Sequence, residues 1–180
     1  MATHTELTGL FGADGVARVP FDEALASGLS EADARTLSEV GVPAELPVVF
    51  SMSAPGEPEA FTLVPVDTGE EVVEVLCLGG PADSTGMRFC LDLADGYVIL
   101  LDLGGDEPSA EIVNTTLADF VEFLYRFALR LVETAEADEP ELDRYTAELR
   151  GALAARDPLA LSDEESWWSM VFDRLLAPTR

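Results

Sequence analysis

Apolar and polar residues alternate over residues 88–93, with Phe89, Leu91 and Leu93 on one side and Arg88, Cys90 and Asp92 on the other. That two-residue period predicts a strand with one buried face. Residues 97–101 are apolar at every position, the pattern of a strand covered on both faces. Between the two lies Asp95-Gly96, a pair that supplies the positive φ angles of a tight hairpin turn. Gly104-Gly105 and Pro108 interrupt the pattern before one more short strand at residues 110–113. The period then lengthens. Thr116, with Asp119 three residues on, resembles a capping box. Leu117, Phe120, Val121, Leu124, Phe127, Ala128, Leu131 and Ala135 follow at helical spacing on one face. Tyr125, Leu129 and Val132 widen that face, which predicts a mostly covered helix.

Upstream, residues 5–11 suit a short helix, and residues 16–19 an extended piece stopped by Pro20. Ser30 with Asp33 predicts a helix start; Ala34, Leu37 and Val40 form its apolar stripe, and Gly41 followed by Pro43 stops it. Residues 48–52 and 61–66 are predicted strands on either side of a loop at residues 53–59. Residues 71–78, rich in β-branched side chains, predict another strand, which Gly79-Gly80-Pro81 ends as a turn.

Downstream, Pro140 suits a first helical turn, and Leu142, Tyr145, Leu149, Ala152 and Leu153 mark the helix that Asp157-Pro158 ends. Ser162 with Glu165 reads as a capping box for a last helix, with Trp168, Val171, Phe172 and Leu175 on one face. No repeat or low-complexity linker divides residues 1–180. A helix, an antiparallel central sheet and then helices in series predict a single α+β domain, and the length suffices for one sizeable core.

Composition narrows what such a domain can do. Thirty-five acidic residues stand against ten basic ones, all arginine, for a net charge of -25, while 48% hydrophobic content argues against a disordered acidic tail. This balance repels nucleic acid and attracts basic proteins. Residues 1–15 lack the basic start and apolar segment of a secretory signal, and no run of about 18 uncharged apolar residues suggests a membrane span. The expected location is the cytoplasm. Cys77 and Cys90 both fall in predicted strands; two buried thiols and a disulfide between neighbouring strands both stay open.

Catalytic motifs are scarce. The sole histidine, His4, sits at a terminus expected to fray, which leaves Ser-His-Asp and Cys-His chemistry without its usual base. The cysteines lack Cys-x-x-Cys spacing, and a phosphate loop would need a lysine. No catalytic, cofactor-binding or metal residue is therefore nominated. Asp92, Asp95, Asp102, Asp106 and Glu107 are read as lying around one end of the hairpin and its exit loop. Their oxygens suit a divalent cation, but the spacing matches no EF-hand, and solvated turns account for them. The acidic run over residues 133–143 reads as a solvated helix junction, with partner contact as the other reading. Neighbouring residues on a helix point about 100° apart, so Trp167 and Trp168 cannot share a face. Trp168 aligns with the apolar stripe, and Trp167 falls at its edge, either as core or as an exposed contact.

Three blocks carry a resemblance: the hairpin CLDLADGYVILLDL with the following VNTTLADFVEFL, the segment LSEADARTLSEVGVPAEL at residues 29–46, and SWWSMVFDRLL at residues 166–176. In this order and spacing they resemble the SUKH superfamily of Smi/Knr-like proteins, and most of all its fourth family. Many members of that superfamily are immunity proteins of bacterial toxin systems. The resemblance implies a SUKH fold and a non-enzymatic protein that binds a cognate toxin, often a nuclease or nucleic-acid deaminase. With no cofactor motif in the sequence, none is expected. Combined with the acidity, the resemblance suggests a basic partner. Candidate contacts are Glu70, Glu71 and Glu74, with Asp102, Asp106 and Glu107 on the exit loop and Trp167 on the last helix. Two other readings compete: a regulatory scaffold with an endogenous protein partner, as in other superfamily members, and a metal-dependent hydrolase built on carboxylates.

Overall fold

The computed structural model describes residues 1–53, 59–67, 71–82, 86–104 and 109–176. The amino-terminal part holds α1 (His4–Phe11), β1 (Val16–Ala17), α2 (Phe21–Ala26) and α3 (Glu31–Arg35), the last continued by a π-helical turn, Thr36–Val40. β2 (Val42–Pro43) pairs with β1, and β3 (Glu45–Leu46) pairs with β4 (Phe50–Ser51). The central sheet is a meander of β5 (Leu63–Asp67), β6 (Val72–Gly79), β7 (Met87–Asp92), β8 (Val98–Asp102) and β9 (Ser109–Asn114), each antiparallel to the next. Then come α4 (Leu117–Glu133), α5 (Glu139–Arg156) and α6 (Trp167–Leu176). Helices packed on an antiparallel sheet make this an α+β fold.

Alternation sorts the sheet's two faces. Leu76, Leu78, Phe89, Leu91, Val98, Leu100 and Val113 join one buried core with Phe120, Phe123 and Phe127 of α4 and with Trp168 of α6. The Trp168 indole stacks on Phe127 at 5.1 Å and 22°. Its Nε1–H donates to Asn114 Oδ1 at 2.9 Å, and Asn114 Nδ2 donates to Asp157 Oδ2, also at 2.9 Å. One buried polar chain thus ties the last helix, the end of β9 and the end of α5 together. The other face differs. Val75, Cys90 and Leu101, with Val64, Val66, Val73 and Ile99 around them, form a separate cluster that contains no helix residue. β8 is therefore apolar on both faces as expected, but helices cover only one of them.

Cys77 and Cys90 stand directly opposite each other on β6 and β7, and both are buried free thiols. The hydrogen bond with Cys77, together with burial, pushes the Cys90 thiol far above its ordinary value.

Several local expectations hold. Gly96 has φ +76° and donates its N–H to Asp92 O at 2.9 Å, closing the hairpin turn. Thr116 caps α4 by accepting the Asp119 N–H at 3.0 Å, and Ser30 caps α3 in the same way through Asp33.

Others are corrected. Residues 47–49 form a turn rather than the start of a strand, and Val48 lies at φ +69°, 57% exposed. Gly79-Gly80 is not a turn but a crossing point. Gly80 exchanges two backbone hydrogen bonds with Ser51 at 2.8 and 2.9 Å, and a Cβ on Gly79 would stand 2.4 Å from Ser51 O. Only a residue without a side chain lets β4 lie this close.

The terminus before α1 is docked, not frayed. Thr3 and Glu6 form a capping box, and His4 Nδ1 lies 3.0 Å from Val40 O. The backbone N–H of Ala2 donates to buried Glu122, which also accepts from Arg126 Nε at 2.8 Å. α4 ends at Glu133, so Val132 is 62% exposed instead of part of a covered face. α6 starts four residues later than Ser162 predicts: Ser166 Oγ accepts the Ser169 N–H at 3.4 Å, while Ser162 Oγ donates to Leu159 O.

Candidate functional site

Strand register decides which candidate residues meet. Asp92 pairs with Val75 and Asp102 with Met87, so the two carboxylates mark opposite ends of the β7–β8 hairpin. Five residue steps along β7 separate these levels, about 17 Å at the usual strand rise. Asp92 and Asp95 therefore do not share an end with Asp102, which corrects the reading of one acidic cluster. Glu74, opposite Pro65 and next to Val75, belongs with Asp92, and so does Glu71 just before β6. Glu70, Asp106 and Glu107 lie outside the described residues. Among the described residues, no three His, Cys, Asp or Glu side chains are grouped so that they could hold a metal ion.

The carboxylates at the hairpin turn serve local structure. Asp92 Oδ1 accepts the Ala94 N–H at 2.9 Å, and Asp95 is exposed at the turn. Asp102 makes a similar bond, accepting the Gly104 N–H at 2.9 Å, but its surroundings differ. It lines a cleft of about 280 Å³ together with Met87, Leu100, Glu111, Trp167 and Arg174. Even-numbered residues of β8 point toward the helices, so Asp102 extends the row of Val98 and Leu100 to the sheet's rim under α6.

Two of the candidates, Asp102 and Trp167, thus come together. Trp167 does not do so as an exposed platform: it is only 5% exposed, which corrects that reading. Its ring meets Phe89 edge-on at 5.4 Å and 73°, and its backbone N–H donates to Glu111 Oε1 at 2.6 Å. The first turn of α6 is wedged between sheet and α4, so two indoles about 100° apart are both buried, one on β7 and one on α4. The Trp167 Nε1–H is buried without an acceptor, a costly condition for a polar group.

Sequence reasoning did not single out Glu111, Arg174 or Val48. Glu111 carried one usable signal: it falls at a helix-facing position of β9, two residues before buried Val113. Arg174 and Val48 carried none.

No helix among the described residues is long and apolar enough to cross a membrane. Comparisons with curated proteins and with solved structures find no match. The family described as SUKH-4 immunity protein matches residues 2–174, from the docked amino terminus through the meander to the last helix. With nearly every described element inside that match, the chain belongs to the SUKH-4 immunity protein family.

Proposed function

We propose that this chain is a cytoplasmic, non-enzymatic immunity protein that binds and neutralises a cognate toxin acting on nucleic acid, a nuclease or a nucleic-acid deaminase. Family membership supports the immunity role. The charge of -25 is the observation that carries the choice of partner. Ten arginines cannot neutralise so many carboxylates internally, so most of these face water. A toxin that grips phosphates presents a basic groove, because neutralising phosphates supplies much of its affinity. An acidic protein enters that groove through the same charges and is steered to it.

Asp102, with Asp106 and Glu107 following it in sequence, is the proposed leading contact. Glu71 and Glu74, with Glu70 preceding them in sequence, are the second proposed contact; Glu71 and Glu74 belong to the other end of the sheet, and an interface of standard size, about 800 Å² per partner, reaches both ends. The experiment is co-expression with candidate toxin domains taken from the reading frames that flank this gene. The expected result is survival of the host, a stable complex and loss of the toxin's activity on nucleic acid. Continued toxicity with both proteins soluble and present overturns the proposal. So does turnover of the toxin or its substrate by this chain alone.

A further inference from the structure

Arginines are the minority charge here, and their partners are informative. Among the described residues, Arg35, Arg126, Arg144, Arg150 and Arg156 each hold a carboxylate within ion-pair distance. Among the same residues Arg18, Arg130 and Arg174 hold none, although the chain carries 35 acidic side chains. Arg130 and Arg174 line the same apolar groove of about 330 Å³, between the turn at residues 47–49 and helices α4 and α6. Its other walls include Val48, Phe127, Leu131 and Leu175.

Arg130 is the costlier of the two. It is 4% exposed, and its Nε donates to Thr146 Oγ1 at 2.8 Å, which fixes the side chain between α4 and α5. Burial pushes its guanidinium below the ordinary value, and Asp143, beyond ion-pair distance, opposes that push only in part. A buried cation without a counter-ion is unfavourable in the free protein. Exposed Arg174 stands where this groove meets the Asp102 cleft; Val48 also borders both. Val48 is a β-branched residue held at φ +69°, so strained backbone keeps an exposed apolar side chain at the lip. Leu131 adds a second exposed apolar wall at 46%.

We propose that this groove receives an apolar segment of the partner protein that carries a carboxylate, placed between Arg130 and Arg174. The inference deepens the toxin-binding reading and rests on it. Charge complementarity selects the occupant: a cation-bearing segment would meet two unneutralised arginines, and a neutral one would leave both without an anion. A carboxylate satisfies them with charge-assisted hydrogen bonds while its aliphatic neighbours cover Val48, Leu131 and Leu175. Over the acidic majority of the surface the same carboxylate is repelled. The groove therefore fixes register: the basic partner is drawn in by the acidic majority and keyed at one point of opposite sign.

The test uses four peptide probes on the full chain, read by methyl and arginine side-chain NMR: acetyl-Leu-Glu-Leu-amide, its Gln and Lys counterparts, and acetyl-Leu-Leu with a free carboxylate. Shifts at Val48, Leu131, Leu175 and Arg174 are expected, with the Glu peptide about tenfold tighter than the Lys peptide and Gln between them. The free-carboxylate peptide distinguishes a chain terminus from an acidic side chain as the source. Arg174→Met, on the exposed rim, is expected to remove the Glu preference and to leave the Gln peptide unchanged. Arg130→Met should do the same if it folds. Equal binding of all probes, a preference for Lys, or a Glu preference that survives Arg174→Met overturns the proposal.

Addition of the toxin domain is expected to displace the Glu peptide; retention of the peptide in the complex also overturns it. A wild-type chain that binds the Glu peptide but fails to protect the host refutes the immunity reading instead. An Arg174→Met chain that protects as well as the wild type refutes only the groove.

Discussion

The two ends of the central sheet treat charge in opposite ways. At the hairpin turn, Asp92 is bound by its own loop and Asp95 is exposed, with Glu71 and Glu74 on the neighbouring strand. Asp92 is satisfied within its own turn. At the other end, Asp102 shares a cleft of mixed polarity with Glu111 and Arg174, Trp167 keeps a buried donor without an acceptor, and Arg174 has no carboxylate within ion-pair distance among the described residues. The turn end is locally complete, whereas the far end keeps a buried donor without an acceptor. In a chain with so large an acidic excess, the location of carboxylates says little about contact. The unsatisfied donors among apolar side chains say more.

The largest expected effect falls on the far end. Gly79→Ala places a Cβ against Ser51 O and forces a side chain into φ +145°, so a loss of about 3 kcal/mol is expected by chemical denaturation. Because β4 positions the turn that carries Val48, toxin affinity should fall as well. An unchanged midpoint would mean that β4 does not cross at Gly79.

Gly96→Val acts on the turn end. The left-handed conformation at φ +76° sets its cost at about 1–3 kcal/mol. Here the comparison separates stability from binding: affinity for the toxin, measured below the new melting temperature, should stay within twofold of wild type. A large loss of affinity would move the contact surface to the hairpin turn.

Val48→Gly gives the smallest effect on stability, and of opposite sign. Relief of the left-handed strain, less the extra entropy of glycine in the unfolded chain, should raise stability by about 1 kcal/mol. Affinity should drop at the same time, since the apolar lip is gone. A variant that is more stable and binds equally well would mean that the strain serves no contact.

Much of this was legible in sequence where the signal is local. Asp95-Gly96 announces its turn, and Thr116 with Asp119 announces a helix start, because the residues that decide the conformation are neighbours in the chain. The start of α6 shows the contrary case. Ser162 and Ser166 both offer a hydroxyl, and the choice is aided by Glu111, which binds the Trp167 N–H from 56 positions away. Residues 48–52 read as a strand because Val48, Val49 and Phe50 are apolar, yet Val48 points outward from a turn. The acidic residues around the hairpin looked like one cluster because they are close in sequence; antiparallel register sends Asp92 and Asp102 to opposite ends. Nothing in a one-dimensional reading tells a paired arginine from an unpaired one, so Arg130 and Arg174 emerged only from the packing.

The most direct test of the account is the association rate between this chain and the toxin domain that it protects against in co-expression, as a function of salt. Between about 50 mM and about 500 mM NaCl the screening length falls several-fold, and the on-rate should fall by about tenfold or more while the off-rate changes little. Neutralising Asp102, Asp106 and Glu107 together should flatten that dependence. An on-rate that is flat with salt in the wild type, or unchanged in the neutralised variant, would contradict electrostatic capture through the Asp102 end of the sheet.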